Sequence, residues 1–163
     1  IKLKKWVKKY KHELLIVNVK EEGLEEYLIE IFENSKISNY FILDETVPFI
    51  IKYCNSGFSK FALRVSKWES LSSALKIVKS LNSKPKWIWL DTFNGVIPIN
   101  SKEMKKIKKM NLRVCLVSPE LHPDYKYSLP SKSFIREYMD LGKNNFDAIC
   151  TKKEDFWYNI INN

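Results

Sequence analysis

Glycine is nearly missing from this chain. Four glycines, Gly23, Gly57, Gly95 and Gly142, serve 163 residues. None falls in a G-x-G-x-x-G run or a P-loop, so the backbone cradle that nucleotide-binding folds use for phosphates is excluded. Long apolar runs are missing too. No stretch reaches the roughly 18–20 residues of a membrane helix, so no membrane span is expected. The opening "IKLKKWVKKYKHE" lacks the apolar core of a secretory signal. Cysteine amounts to three residues, an odd number without C-x-x-C spacing. That speaks against a disulfide framework or a zinc site and predicts buried free thiols in a reducing cytoplasm. Arginine is scarce: of 28 Lys and Arg, three are Arg and 25 are Lys. Nucleic-acid readers depend on the bidentate fork of Arg. The net charge of +9 is therefore not read as nucleic-acid binding. The lysines of "KEMKKIKKM" are read as a solvated helix face.

What remains is a globular composition, 45% hydrophobic and 29% charged, long enough for one domain over residues 1–163. Strand-like runs recur at residues 14–20, 40–44, 61–66, 87–93, 113–118 and 146–152. Their starts, counted from Leu14, Tyr40, Phe61, Trp87, Val114 and Asp147, are 26, 21, 26, 27 and 33 residues apart. Helical periodicity fills residues 23–35, 47–57, 70–82 and 101–111. Pro48 suits a first helical turn and Gly57 a stop, while Ser70 and Ser101 are placed to cap. Ile1, Leu3, Trp6, Val7 and Tyr10 give a further helix at the start. Strand, helix, strand at this spacing predicts an α/β fold with a parallel sheet. The expected type is a (β/α) TIM barrel lacking its first strands, since six strands fall short of eight.

Each run is apolar at its start and polar at its C-terminal end, where parallel βα folds build their sites. Asn18 and Lys20, Asp44, Arg64, Asp91, and Ser118 with Glu120 occupy those ends, and Thr151 closes the last run. Lys20 and Arg64 are candidate phosphate-binding cations, with ion pairing to Asp44 or Asp91 as the competing reading. Asp44, Asp91, Glu120 and Thr151 complete a polar ring. Asn18 offers a neutral oxygen to a divalent cation, Mg or Ca, beside those carboxylates. His122 is a candidate acid–base group, though a loop histidine is commonly just exposed. His12 beside the lysine-rich start is expected in solvent. "LDTFNG" also invites comparison with the D-x-D-x-T strand of haloacid-dehalogenase phosphatases, but Phe93 stands where the second Asp is required.

The ordered runs "LLIVNVKEEGLEEYL", "YFILDETVPFIIKY", "FALRVSKWE", "WIWLDTFNG", "RVCLVSPELH" and "FDAICTK" resemble glycerophosphodiester phosphodiesterase-like proteins of the PI-PLC-like barrel superfamily. The resemblance covers about Leu14 to Trp157. It implies metal-assisted phosphodiester hydrolysis on a glycerophosphodiester-like ligand, with two histidines as acid and base. The family's His-Arg-Gly, Glu-x-Asp and His-Asp motifs are not in this chain. Its fourth-strand Glu-x-Lys resembles Asn18 and Lys20, and its closing Thr-Asp resembles Thr151 and Lys152. Two functions follow as expectations: a phosphodiesterase barrel, or a barrel that holds a phosphorylated or glycan ligand without turnover.

Overall fold

The structure is a computed structural model that describes residues 2–162. Ile1, counted into the N-terminal helix above, lies outside them. A short helix α1 (Leu3–Trp6) runs into a 3-10 turn at Val7–Lys9. Val7 is buried and Leu3 and Tyr10 pack beside it, but Trp6 stays largely exposed. Six strands follow, β1 (Leu15–Asn18), β2 (Tyr40–Leu43), β3 (Ala62–Val65), β4 (Trp87–Leu90), β5 (Arg113–Val117) and β6 (Ala148–Cys150). Between and after them lie α2 (Glu25–Asn34), α3 (Val47–Asn55), α4 (Leu71–Ser80), α5 (Ser101–Lys109), α6 (Lys132–Asp140) and α7 (Glu154–Asn162). The sequence pattern yields all six strands but not α6 and α7. The strands are shorter than the apolar runs that announce them.

Every strand pair is parallel, and the pairing follows chain order. β1 pairs with β2, and β3, β4, β5 and β6 pair in turn. A parallel bridge between Ile42 and Phe61, with the Ile42 amide donating to the Lys60 carbonyl at 2.8 Å, joins the two groups. Strand parity splits the core into two sides. Leu15, Tyr40, Ile42, Leu63, Val65, Ile88, Leu90, Val114 and Leu116 face the helices. They meet Ile31 and Phe32 of α2, Tyr53 of α3, Val78 of α4, Ile107 of α5, Tyr138 of α6 and Trp157 of α7. The opposite face carries Phe41, Leu43, Ala62, Trp87, Trp89, Cys115 and Val117, with no helical residue among them. All helices therefore lie on one side. A doubly wound sheet has them on both.

Alternation along the runs groups Tyr40 with Ile42, Ala62 with Arg64, Trp87 with Trp89, Val114 with Leu116, and Ile149 with Thr151 on the faces that lead to the polar ends, and the structure turns the sets of β2, β5 and β6 toward the helices. Tyr40 and Ile42, and Val114 and Leu116, face the helices, whereas Ala62 and Arg64, and Trp87 and Trp89, face away. A strand buried on both sides carries no alternation that reports its parity. Asp44 nevertheless reaches the helix-free side, because its left-handed φ of 64° re-aims the chain just past β2.

Local signals explain the ends. Ser70 caps α4 by accepting the Ser73 amide, as expected, and Ser131 caps α6 through Phe134. The cap of α5 is Asn100, not Ser101. Asn100 accepts the amides of Lys102 and Glu103, and Glu103 accepts the Asn100 amide at 2.9 Å, a full capping box. Trp157 of α7 is buried, and its Nε1 donates to Ser118 Oγ at 2.8 Å, which ties the last helix to the end of β5. Cys54 and Cys115 are buried free thiols, and Cys150 is half-buried and free. Burial pushes the Cys54 thiol up to about 11, so it is inert at neutral pH. The lysines Lys102, Lys105, Lys106 and Lys109 of α5 are exposed, as the sequence implies.

Removing the α5 cap separates the two assignments. Asn100→Ala should cost about 1 kcal/mol of unfolding free energy in denaturant titration, and Ser101→Ala close to nothing. The reverse order would return the cap to Ser101.

Candidate functional site

The C-terminal strand ends converge on Arg64. It sits on the helix-free side of β3, so its guanidinium emerges above the layer of Ala62, Trp87 and Trp89. Its Nη1 donates to Asp91 Oδ2 and its Nη2 to Asp44 Oδ1, one carboxylate from each neighbouring strand end. Its Nε lies 3.8 Å from Glu69 Oε1. Lys20 Nζ reaches Asp44 Oδ2 at 2.9 Å from the outside, with 74% of its side chain exposed. The ion-pair reading of Lys20 and Arg64 is thus the one the resting geometry adopts. Burial lowers the Arg64 charge's stability, but Asp44, Asp91 and Glu69 outweigh it and hold the guanidinium above its usual range. Burial likewise raises Asp44, and Lys20 and Arg64 overcome that to hold its carboxyl below the usual range.

His122 is not an exposed loop histidine. Its side chain is 10% exposed and its Nε2 lies 2.7 Å from Asp91 Oδ1, with Asp91 itself 3% exposed. Neither atom has an aligned hydrogen-bond partner. Buried polar atoms are nearly always paired, and at 2.7 Å these two face each other. The ring rests on Phe93, centroids 4.5 Å apart, and Trp89 Nε1 donates to Asp91 at 3.4 Å. Gly95 makes this possible. Its φ is +70°, and a Cβ there would come within 2.5 Å of Tyr125 Cε2, so the turn after β4 could not lie under the loop that carries His122. The Tyr125 hydroxyl accepts the Ser131 amide at 2.9 Å and pins that loop.

Glu120 and Thr151 form a second cluster beside the first. Glu120 lies in a 3-10 turn beyond β5 rather than on the strand. It accepts from Ser118 Oγ, Thr151 Oγ1 and the Lys152 amide. The turns at residues 93–95 and 119–121 pack together, so the clusters adjoin. Asn18 ends β1 with an exposed side chain and has no side-chain bond to either cluster. Among the described residues no group of three His, Cys, Asp or Glu side chains is disposed to hold a metal ion. Asp44 and Asp91 both turn to Arg64, so a divalent cation would have to displace a guanidinium. The donor set does not fit Mg or Ca, and no chemical step is assigned to a metal here.

Glu69 was not among the residues the sequence pointed to. Its signal is the S-x-x-E spacing of Ser66 and Glu69: Ser66 Oγ donates to Glu69 Oε2 at 2.5 Å and accepts the amides of Trp68 and Glu69. His12 is exposed, as expected. No helix among the described residues is long and apolar enough to cross a membrane. No protein-family model matches this chain, and no curated protein matches it.

Arg64→Met should destabilise the protein by roughly 3–5 kcal/mol at neutral pH, because it strands two largely buried carboxylates. Arg64→Lys should recover only part, since an ammonium cannot bridge two strands as a fork does. Asp44 is depressed in the folded state, so its share of stability is present above its ordinary value near 3.8 and lost as pH falls below it. Thermal melts at acidic pH should accordingly show the Arg64→Met deficit shrinking. A deficit independent of pH would contradict the ion-pair account.

Proposed function

We propose that this chain supplies six strands of a glycerophosphodiester phosphodiesterase-like (β/α) barrel, and that its strand-end centre binds a small phosphorylated ligand. Chain-ordered parallel strands with all helices on one side support the barrel reading, because a barrel wall has that order and that single helical layer. The observation that carries the site is the facing, unaligned pair of Asp91 and His122 against Arg64.

Roles follow from exposure. Lys20 is the accessible cation, held by one carboxylate, and can exchange Asp44 for a phosphate oxygen. Arg64 fixes the two carboxylates and, through Asp91, the place of His122 beside the ligand. His122, set against Asp91, offers its ring edge to the ligand. The matching family histidines are not in this chain, so it is expected to bind rather than turn over a phosphodiester.

A glycan ligand is the second reading, favoured by charge. Lys20 and Arg64 face Asp44, Asp91 and Glu69, a net charge of −1 with the imidazole neutral. Trp68 stands beside them 76% exposed, with Lys67 Nζ 5.0 Å from its ring centre, a face on which a sugar can stack.

Calorimetric titration decides. Glycerol 3-phosphate and glycerophosphocholine should bind, and Lys20→Ala should weaken them about tenfold, near 1.4 kcal/mol, with an unchanged melting temperature. Absence of binding at millimolar phosphate ester would overturn the phosphate reading. Binding of an uncharged saccharide, lost in Trp68→Ala, would put the glycan reading in its place.

A further inference from the structure

A third group of polar residues adjoins Asp44 through Glu45, and neither reading of the site uses it. Glu25 opens α2 and is fully buried. Its Oε1 accepts the Gly23 amide at 3.1 Å, and its Oε2 accepts the Tyr53 hydroxyl of α3 at 3.3 Å. Glu45 follows Asp44 directly. Its Oε1 accepts the Thr46 amide at 3.2 Å, while its Oε2 is buried without a donor. The two carboxyl groups meet. Glu22 from the turn before α2 adds a further negative charge to Glu45, and Glu26 presses on Tyr53. The side chains that bear on this pair are acidic or phenolic, and Arg64, on the rim of the same cavity as Glu45, is already held by Asp44 and Asp91.

We propose that Glu25 and Glu45 share one proton and form a pH-sensitive latch that holds the 44–46 loop, and with it Asp44, against the Arg64 centre. Two adjoining carboxylates in a partly buried site cannot both ionise cheaply. One carries the proton and donates it to the other. Glu45 is the carrier: burial, then Glu25, then Glu22 push its carboxyl up to about 7. Glu25 is the acceptor. Burial raises it, but its own amide, Glu45, the Gly23 amide and Tyr53 hold it below the usual range. Tyr53 keeps its proton throughout, pushed up to about 12 by burial and by Glu25 and Glu26.

The latch has somewhere to open. Glu45, Asp44, Arg64 and Glu69 rim a cavity of about 340 Å³ between α3 and α4, floored by Ile50, Leu63 and Ile77. When Glu45 loses its proton, repulsion from Glu25 drives it toward that cavity and solvent. Asp44, one residue away and held in a left-handed conformation, moves with the loop. Proton loss at Glu45 therefore loosens one of the two carboxylates that fix Arg64. The direction follows from linkage. A carboxyl raised in the folded state stabilises the fold fully below its ordinary value near 4.5, and that stability is lost as pH rises through about 7.

The test uses the whole chain without any ligand, so it stands apart from the phosphate and glycan readings. Side-chain carboxyl carbon resonances of the glutamates, followed by NMR from about pH 4 to about pH 9, should show one glutamate titrating near neutrality. Glu45→Gln should abolish that titration. The melting temperature of the wild-type chain should fall from about pH 5 to about pH 8, and that of Glu45→Gln should stay flat and exceed wild type at the alkaline end. His122→Gln, run as a control, should keep the wild-type fall. All glutamates titrating near their ordinary values would overturn the latch, as would a Glu45→Gln chain that keeps the wild-type fall. If Glu45→Gln does not fold, the wild-type carboxyl titration decides by itself: a glutamate near neutrality supports the latch, and none there overturns it.

Discussion

The guanidinium of Arg64 is the contact on which the strand ends depend. It emerges from β3 between carboxylates contributed by the turns after β2 and β4. Without a fork that bonds both at once, Asp44 and Asp91 would face each other as like charges near a dry layer of Phe41, Trp87 and Trp89. A buried ion cluster of this kind is poor evidence of net stability, because desolvation offsets most of the Coulomb gain. Its effect is positional. It fixes the relative height of three strand ends and so places Asp91 under His122.

The rest of the fold serves that placement. Helices on one side anchor the strands through Ile42, Leu63, Ile88 and Val114, leaving the other face free to end in charge. Where charge must leave a strand end, backbone geometry departs from the ordinary. Asp44 takes a left-handed conformation, and the turn after β4 uses Asn94 and Gly95 at positive φ. Such conformations cost of order 1 kcal/mol at non-glycine residues, and here each redirects a chain that carries a polar contact. A base bonded to Asp44 and an acid next to it in the chain give that single residue two controls, a fixed one through Arg64 and a titratable one through Glu45.

Much of this was legible in the sequence, and the omissions have physical causes. Six apolar runs at βα spacing announced six strands, because burial on both faces demands continuous hydrophobicity. The same continuity hid parity, so Phe41 and Leu43, rather than Tyr40 and Ile42, turned out to face away from the helices. Charged termini announced Lys20, Asp44, Arg64 and Asp91 as neighbours, since each stands at or just past the C-terminal end of its strand. Glu120 and Thr151 joined each other instead, because a 3-10 turn carries Glu120 past the strand. The burial of His122 depends on Gly95 and Tyr125, and the pairing of Glu25 with Glu45 spans separate units. Contacts of this kind leave no periodic trace in one chain. Asn100 is easily passed over as a cap beside Ser101, although its spacing to Glu103 fits the capping box.

One measurement tests the central claim most directly: nitrogen-15 NMR of the arginine side chains in the whole protein. A guanidinium clamped between Asp44 and Asp91 cannot rotate freely about its Cζ–Nε bond. Arg64 should therefore show distinct Nη1 and Nη2 resonances with slowly exchanging protons at neutral pH. They should merge in Asp91→Asn, while Arg113 and Arg136 give averaged signals throughout. A single averaged, fast-exchanging Nη signal for Arg64 in the wild-type protein would contradict the account.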